Sequence, residues 1–251
     1  MIKAVGLRKA YGERVAVDGV DLDLPAGRTF GLLGPNGAGK TTTILMLVGA
    51  LAPDAGTVDV AGEGAPVKPA VRKKIGVAPQ ALAIYPELSA AENLSFFGGL
   101  YGLAGRALAE RVRWCLDFAG LADRAKDRVA TFSGGMQRRL NMACALVHDP
   151  QVILFDEPTV GVDPQSRNHI FDAIEALKKE ERTILYTTHY MEEAARLCDR
   201  VAIMDRGKIL DVDSVDALIE RHGGAPVTKT IVERGDLEAV FLKLTGRKLR
   251  D

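Results

Sequence analysis

The chain has 251 residues, of which 47% are hydrophobic, so it can bury the core of one large domain or of a domain with an insertion. Lysine plus arginine and aspartate plus glutamate number 33 each, and this zero net charge argues against nucleic acid as a partner held by bulk electrostatics. The three cysteines form no C-x-x-C pair and the four histidines are scattered, which favours reduced core thiols and argues against a zinc site.

The N-terminal segment alternates apolar and polar residues without a preceding signal-peptide pattern, so we expect a soluble chain. The longest apolar run, Ile44–Ala52, is too short to cross a bilayer. The alternation predicts an antiparallel sheet with one face in water, built on Val5, Leu7, Val15, Val17, Val20, Leu22 and Leu24. Further short strands are predicted at Thr29–Leu33, Thr57–Ala61 and Ile75–Ala78.

A phosphate-binding loop follows the strand at Thr29–Leu33. Residues 34–41 match G-x-x-x-x-G-K-[ST], and a helix is predicted over Thr41–Val48. This strand–loop–helix context argues against an accidental glycine-rich turn, because backbone N–H groups and the helix N-terminus converge there on an anion. Lys40 is expected to reach the β- and γ-phosphates and the Thr41 hydroxyl to hold Mg²⁺. The candidate nucleotide-binding residues are Gly34, Pro35, Asn36, Gly37, Ala38, Gly39, Lys40, Thr41 and Thr42.

From about residue 81 to 149 the pattern becomes helical. Ser89 and Glu92 form a capping box at the start of one predicted helix. Apolar residues at helical spacing predict two more, along Leu108, Val112, Leu116 and Ala119 and along Leu140, Cys144 and Val147. The simplest architecture is an α/β sheet domain interrupted by a helical insertion.

An acidic pair follows the next predicted strand, Val152–Phe155. Because open α/β sheets bind ligands at the carboxyl ends of their strands, Asp156 is expected to hold the Mg²⁺ shell. Glu157 is expected to orient a water for attack on the γ-phosphate. Two further buried strands are predicted at Thr183–Tyr186 and Val201–Met204.

A second candidate anion site lies at Ser133, Gly134 and Gly135, just before a helix predicted over Gln137–Val147. One nucleotide cannot easily occupy two separate helix N-termini of one chain. Either a second ligand binds there, or this site serves the nucleotide of another copy. Near the C-terminus, apolar residues at 237, 240, 241 and 244 predict an amphipathic helix that packs on the domain or forms a docking surface.

Over residues 2 to about 212 the chain resembles the ATP-binding subunit of ABC transporters. Phe132–Met136 is similar to the signature motif Leu-Ser-Gly-Gly-Gln, and residues 160–163, ending in Asp163, are similar to the D-loop. Gln80 stands at the Q-loop position and is implied to sense the γ-phosphate and Mg²⁺. His189 stands at the switch position, where it would hold the γ-phosphate or the water, and Tyr11 matches the aromatic residue that stacks on adenine.

The resemblance implies an α/β fold: a P-loop NTPase sheet core with an antiparallel β subdomain and an inserted α-helical subdomain at about 81–149. The ATPase domain would span residues 1–212, followed by a short extension over 213–251. The Phe-Ser-Gly-Gly-Met variant and residues 156–167 resemble ATPases that pair with ABC-2-type permeases, including drug and antibiotic exporters. The chain departs from family patterns at Phe132, Met136, Val160 and Ala239.

The implied cofactors are ATP and Mg²⁺, and the implied partners are a second ATPase copy and an ABC-2-type permease. Two copies would face head to tail, with each ATP between the P-loop of one and Ser133–Gly135 of the other. The chain would then be cytoplasmic, bound to the inner face of the membrane through the permease. The alternatives are a soluble ABC-type ATPase unrelated to transport, an importer ATPase, and a GTP switch or small-molecule kinase. Neither the transported substrate nor the identity of the two paired ATPases follows from the sequence.

Overall fold

A computed structural model describes residues 1–223 of the protein. The strands are β1 (Ile2–Tyr11), β2 (Arg14–Leu24), β3 (Thr29–Leu33), β4 (Ala55–Val60), β5 (Ile75–Ala78), β6 (Val152–Asp156), β7 (Thr183–Thr188), β8 (Arg200–Asp205) and β9 (Lys208–Asp213). The α-helices are α1 (Lys40–Leu47), α2 (Pro69–Arg72), α3 (Ala90–Leu100), α4 (Gly105–Ala119), α5 (Gly134–Leu146), α6 (Pro164–Lys179), α7 (Met191–Leu197) and α8 (Val215–His222). The amphipathic helix predicted near residues 237–244 lies outside the described residues.

The alternating N-terminal segment forms a three-stranded antiparallel sheet in the order β2-β1-β4. One face of this sheet is buried, as the period-two pattern predicts. Val5 departs from the prediction: it is exposed, whereas Leu7 is buried. The reason is an irregularity in the β1–β2 register between Ala4 and Leu7, which moves the strand out of its simple alternation.

The second sheet has six strands in the order β5-β6-β7-β3-β8-β9. All neighbouring pairs are parallel except β8 and β9. Every residue of β6 and of β7 is buried, as expected where layers cover both faces of a parallel sheet. The carboxyl ends of β3, β5, β6 and β7 therefore meet along one edge, and the loops that follow these strands converge there.

Helices α3, α4 and α5 pack together in the segment between β5 and β6. The predicted capping box opens α3: Ser89 N–H donates to Glu92 Oε2 at 2.8 Å, and Glu92 N–H donates to Ser89 Oγ at 3.2 Å. Helix α5 begins at Gly134, earlier than predicted, because the Ser133 hydroxyl caps it by accepting the Met136 N–H at 3.2 Å. The mixed sheet, the antiparallel sheet and the helices together confirm the predicted fold class.

The cysteines are part of this packing. Cys115, Cys144 and Cys198 are all buried and unbridged, and burial raises the pKa of the Cys115 thiol to about 12. These thiols are core residues, as predicted. Each helix between residues 1 and 223 is too short or too polar to cross a membrane.

Candidate active site

The loop between β3 and α1 borders an open cavity of about 430 Å³. Gly39 has a φ of +108°, and a Cβ there would lie 2.4 Å from the Ala16 carbonyl oxygen, so only glycine fits this turn. The loop thereby directs the N-terminus of α1 at the cavity. The cavity is lined by Tyr11, Arg14, Ala16, Asn36, Gly37, Gly39, Lys40, Thr41, Thr42, Gln80 and Glu157.

The remaining predicted loop residues shape the turn. Ala38 N–H donates to Pro35 O at 3.2 Å, and Ala38 O accepts from Gly207 N–H at 2.8 Å, which fixes the loop to the β8–β9 hairpin. Gly34 O and Pro35 O both point at the Lys40 ammonium. These residues therefore hold the loop and Lys40 in place without lining the cavity.

Lys40 is the buried cation of the site. Its ammonium donates to Gly34 O at 2.7 Å and to Pro35 O at 3.1 Å, and it lies 2.9 Å from Glu157 Oε1. The side chains of Lys40 and Glu157 are only 4% and 6% exposed. Because a buried charge is costly unless it is paired and hydrogen-bonded, each of these two residues depends on the other.

Asp156 ends β6 and joins two neighbouring elements. Thr41 Oγ1 donates to Asp156 Oδ2 at 2.9 Å, and Thr187 Oγ1 donates to Asp156 Oδ1 at 2.6 Å. The Thr41 hydroxyl and the Asp156 carboxylate therefore present oxygen atoms side by side, which is the donor chemistry that Mg²⁺ prefers. Sequence reasoning found Thr41 and Asp156 but missed Thr187, whose partner is distant in the chain.

Glu157 lies at the meeting point of the predicted catalytic residues. Its backbone is left-handed, with a φ of +46°, and its N–H donates to Thr187 O at 3.2 Å and to Thr187 Oγ1 at 3.0 Å. Its Oε2 accepts from Gln80 Nε2 at 3.4 Å and lies 3.3 Å from His189 Nδ1. Gln80 follows β5 and His189 follows β7, so the parallel topology brings the two together on one carboxylate.

The Gln80 loop is held from an unexpected side. Arg138 Nη1 donates to Gln80 O at 2.6 Å, and Asn141 Nδ2 donates to Pro79 O at 3.1 Å. Asn141 Oδ1 also accepts the Ala83 N–H at 2.9 Å. Arg138 and Asn141 are spaced to share one face of α5, which begins at the Ser-Gly-Gly motif, and sequence reasoning missed both. Asn141 stands among apolar residues, which is a signal that could have identified it, whereas Arg138 lies in a polar stretch without such a signal.

The outer rim of the cavity is formed by the hairpin between β1 and β2. Tyr11 presents a half-exposed ring there, as expected for a residue that stacks on a base. Arg14 and Ala16 also line the cavity and were not predicted. The Arg14 guanidinium lies beside the phosphate loop: a Cβ built on Gly37 would be 3.4 Å from Arg14 Nη2.

A separate group is formed by Ser133, Gly134, Gly135 and Asp163. Within the described residues 1–223, none of the four lines the cavity. Asp163 caps α6 by accepting the Ser166 N–H at 2.9 Å, and this bond lowers the pKa of its carboxyl. A Cβ at Gly135 would lie 2.1 Å from Ser166 Oγ, so the starts of α5 and α6 are in close contact. The structure thus joins the two predicted motifs to each other.

We predict that Thr187→Val destabilises the fold by about 1–3 kcal/mol, because Asp156 and the Glu157 N–H both lose a buried hydroxyl partner. Urea denaturation measures the change. Thr29→Val is the matched control: its buried Oγ1 has no hydrogen-bond partner, so removing that hydroxyl should leave stability unchanged or raise it. Equal effects of the two substitutions would contradict the role assigned to Thr187.

The chain as a whole is similar to proteins of a known family. Residues 17–160 match the family described as ABC transporter. The linearmycin resistance ATP-binding protein LnrL of Bacillus subtilis is 45% identical over 92% of this chain and 75% of its own length. The Nod factor export ATP-binding protein I of Paraburkholderia xenovorans is 45% identical over 98% of this chain and 97% of its own length.

Solved structures agree. An ATP-binding subunit of an ABC transporter superposes with a TM-score of 0.80 at 27% identity, covering 90% of this chain and 95% of that one. A dimeric post-hydrolysis state of the ATP-binding cassette MJ0796, bound to ADP and phosphate, superposes with a TM-score of 0.78 at 26% identity over 86% of this chain and 99% of that one. The chain belongs to the ABC transporter family, as an ATP-binding subunit with the fold of an ATPase cassette.

Proposed function

We propose that this chain is the ATP-hydrolysing subunit that powers export through a separate ABC-2-type membrane permease. The observation that carries the catalytic part is the convergence of Lys40, Gln80 and His189 on the Glu157 carboxylate, beside a loop suited to phosphates. Phosphoryl transfer needs mainly positioning and charge stabilisation, and these residues supply both. Tyr11 would stack on the adenine at the outer rim.

The residues fit the ATP and Mg²⁺ that this proposal requires. Thr41 and Asp156 would hold the metal through oxygen, and Gln80, which lines the same cavity as Thr41, would add its amide oxygen. Bound Mg²⁺ supplies positive charge that offsets the charge developing on the phosphates. Lys40 would bind the β- and γ-phosphates. Because Lys40 is paired with Glu157, phosphate binding would come before the carboxylate is released. A phosphate that takes the Lys40 ammonium releases the Glu157 carboxylate to orient the attacking water, with His189 beside it.

We further propose that two copies assemble head to tail. The N-terminus of a 13-residue helix is formed by Ser133, Gly134 and Gly135, and such a terminus can bind an anion. In the described part of the chain, however, these residues do not line the nucleotide cavity. A nucleotide held by the P-loop of one copy and capped by this motif of the other uses both features. The dimeric form of the similar cassette MJ0796 supports the assembly of two copies.

A second cavity, of about 390 Å³, supports docking of a permease. This cavity is mostly apolar and lies between the sheet core and the helical subdomain that we place at 81–149. Its lining includes Leu45, Val48, Val77, Phe97, Tyr101 and Ala145. The Tyr101 ring stacks on His148 at 3.5 Å, and burial lowers the pKa of His148 to about 4, so this pair is uncharged at neutral pH. An apolar helix of the permease would fit here, which would place the chain on the cytoplasmic face of the membrane.

The named relatives suggest the direction of transport. One is a linearmycin resistance protein and others are Nod factor export proteins, so export is the better-supported direction for this chain. The substrate-binding residues would belong to the permease.

Co-purification tests the permease proposal. The chain is tagged in its native cell, membranes are solubilised in mild detergent, and we expect a multi-helix membrane protein at matching stoichiometry. Phe97 lines the second cavity and the exposed Phe96 ring packs against it, so Phe96→Asp should lose this partner and keep ATP binding. Leu210→Asp, an equally apolar exposed residue on β9, is the control that should keep it. A soluble partner, or none in the membrane fraction, would favour a soluble ABC-type ATPase instead.

A further inference from the structure

Glu193 is a buried carboxylate outside the nucleotide-binding cavity. It lies on α7 with 3% of its surface exposed. Its Oε1 accepts from Thr159 Oγ1 at 2.7 Å, and its Oε2 accepts from Tyr186 OH at 2.9 Å and from Thr188 Oγ1 at 2.8 Å. Three hydroxyl groups from two other parts of the chain therefore converge on one side chain.

These hydroxyls belong to residues that flank the catalytic group. Thr188 directly precedes His189, and its Oγ1 also accepts the Tyr190 N–H at 2.9 Å, so the backbone on both sides of the histidine is fixed. Thr159 lies two residues after Glu157, at the start of the segment that leads to Asp163. Glu193 thus connects the segment that carries His189 with the segment that runs to the start of α6.

A cation completes the network. Arg167, on the first turns of α6, places its Nε 4.0 Å from Glu193 Oε1 and its guanidinium 5.5 Å from the centre of the Tyr190 ring. The Tyr190 ring in turn lies 4.1 Å from the His189 ring. Arg167 thus contacts both Glu193 and the Tyr190 ring, and the Tyr190 ring contacts His189.

Stability alone does not explain a carboxylate here. Burying a charge opposite a partly exposed arginine carries a desolvation penalty that apolar packing of the same volume would avoid. What a carboxylate provides is a rigid acceptor with several lone pairs in one plane, which fixes three hydroxyl donors relative to one another. Such a group orients the residues around it more sharply than apolar packing does.

We propose that Glu193 is a positioning residue: it fixes His189 relative to the Thr159–Asp163 segment, so that the switch histidine and the dimer-facing loop move as one unit. This inference rests on the proposed function, because it assumes that His189 acts on ATP and that Asp163 faces a second copy. Among residues 1–223, the hydrogen-bond and ion-pair partners of Glu193 all lie outside the lining of the nucleotide cavity.

Glu193→Gln keeps the size of the side chain and removes its charge. We expect kcat for ATP hydrolysis to fall about 10- to 100-fold, because small displacements of a positioned group have effects of this size. KM for ATP should change less than about 2-fold, since Glu193 does not contact the nucleotide. Asp199→Asn is the matched control: that carboxylate also joins separate elements, accepting from Thr29 N–H and Lys178, but it is remote from His189. It should leave kcat and KM unchanged.

A double-variant cycle separates positioning from general loss of structure. Measured in single turnovers with enzyme in excess, Glu193→Gln should add less than about 2-fold to the loss caused by His189→Ala, since both act through the same group. The proposal would be overturned if Glu193→Gln lowered the rate by the same factor in the wild-type and in the His189→Ala protein. An unchanged kcat in Glu193→Gln would also overturn it.

If Glu193→Gln does not fold, Thr159→Val removes one hydroxyl donor to Glu193 and should reproduce the kcat loss; wild-type kcat in that variant would overturn the proposal. A wild-type chain without ATPase activity would overturn the proposed function as well, whereas an active wild type with an equally active Glu193→Gln overturns this inference alone.

Discussion

Glu157→Gln is expected to bind ATP normally and to hydrolyse it about 10²- to 10⁴-fold more slowly than the wild type, the usual contribution of a positioned general base. Glutamine preserves the shape of the side chain and the contact with Gln80, but it cannot accept a proton from water. Binding should be maintained or strengthened, because the carboxylate that pairs with Lys40 at 2.9 Å is gone and the ammonium is free for phosphate.

Nucleotide titration and a phosphate-release assay measure the two effects separately. Glu180→Gln is the matched control, since Glu180 forms a partly exposed ion pair with Arg182 at the C-terminal end of α6, and it should behave as wild type. Turnover by Glu157→Gln within about 3-fold of the wild type would remove Glu157 from its assigned role. In that case His189, which lies 3.3 Å from it, would become the candidate for orienting the water.

Lys40→Ala is expected to weaken ATP binding by at least about 10²-fold. Two charge-assisted hydrogen bonds to phosphate are lost, and each contributes about 1.5–3 kcal/mol. The substitution also leaves Glu157 buried without its cation, which adds a repulsive charge next to the phosphates. For the same reason the fold should lose about 3–5 kcal/mol of stability, the usual result of removing one member of a buried ion pair.

The double variant Lys40→Ala/Glu157→Gln distinguishes these two effects. Removing the stranded carboxylate should restore much of the stability lost in Lys40→Ala, as measured by urea denaturation, while ATP binding stays weak. Lys179→Ala, at an exposed position near the end of α6, is the control for loss of a lysine and should change neither quantity. Tight ATP binding by Lys40→Ala would mean that the loop does not hold phosphate through its lysine.

The features that sequence predicted best are the local ones. The phosphate loop, the capping box at Ser89 and Glu92, and the buried strand ending in Asp156 each depend on residues within a few positions of one another. Such patterns specify their own geometry, so the element and its chemical role can be read together. Gln80 and His189 were found differently, through the family resemblance, because neither has a distinctive local pattern.

The features that sequence reasoning missed depend on partners far apart in the chain. Thr187 on β7 hydrogen-bonds to Asp156 and Glu157 at the end of the neighbouring strand β6. Arg138 on α5 hydrogen-bonds to the Gln80 carbonyl. The exposure of Val5 depends on a register irregularity that composition does not reveal. The network around Glu193 was missed for the same reason, since its three hydroxyl partners only meet once β7 and the segment after β6 are side by side.

We propose that ATP joins two copies of this chain across Ser133–Gly135. The most direct test is the molar mass of the Glu157→Gln protein in solution, with ATP and Mg²⁺ and then with ADP. We expect twice the mass of one chain with ATP and a single-chain mass with ADP. Adding Ser133→Arg, which places a bulky cation at the start of α5, should abolish the dimer and keep ATP bound to each P-loop. A single-chain mass at saturating ATP, or a dimer that survives Ser133→Arg, would contradict the shared site.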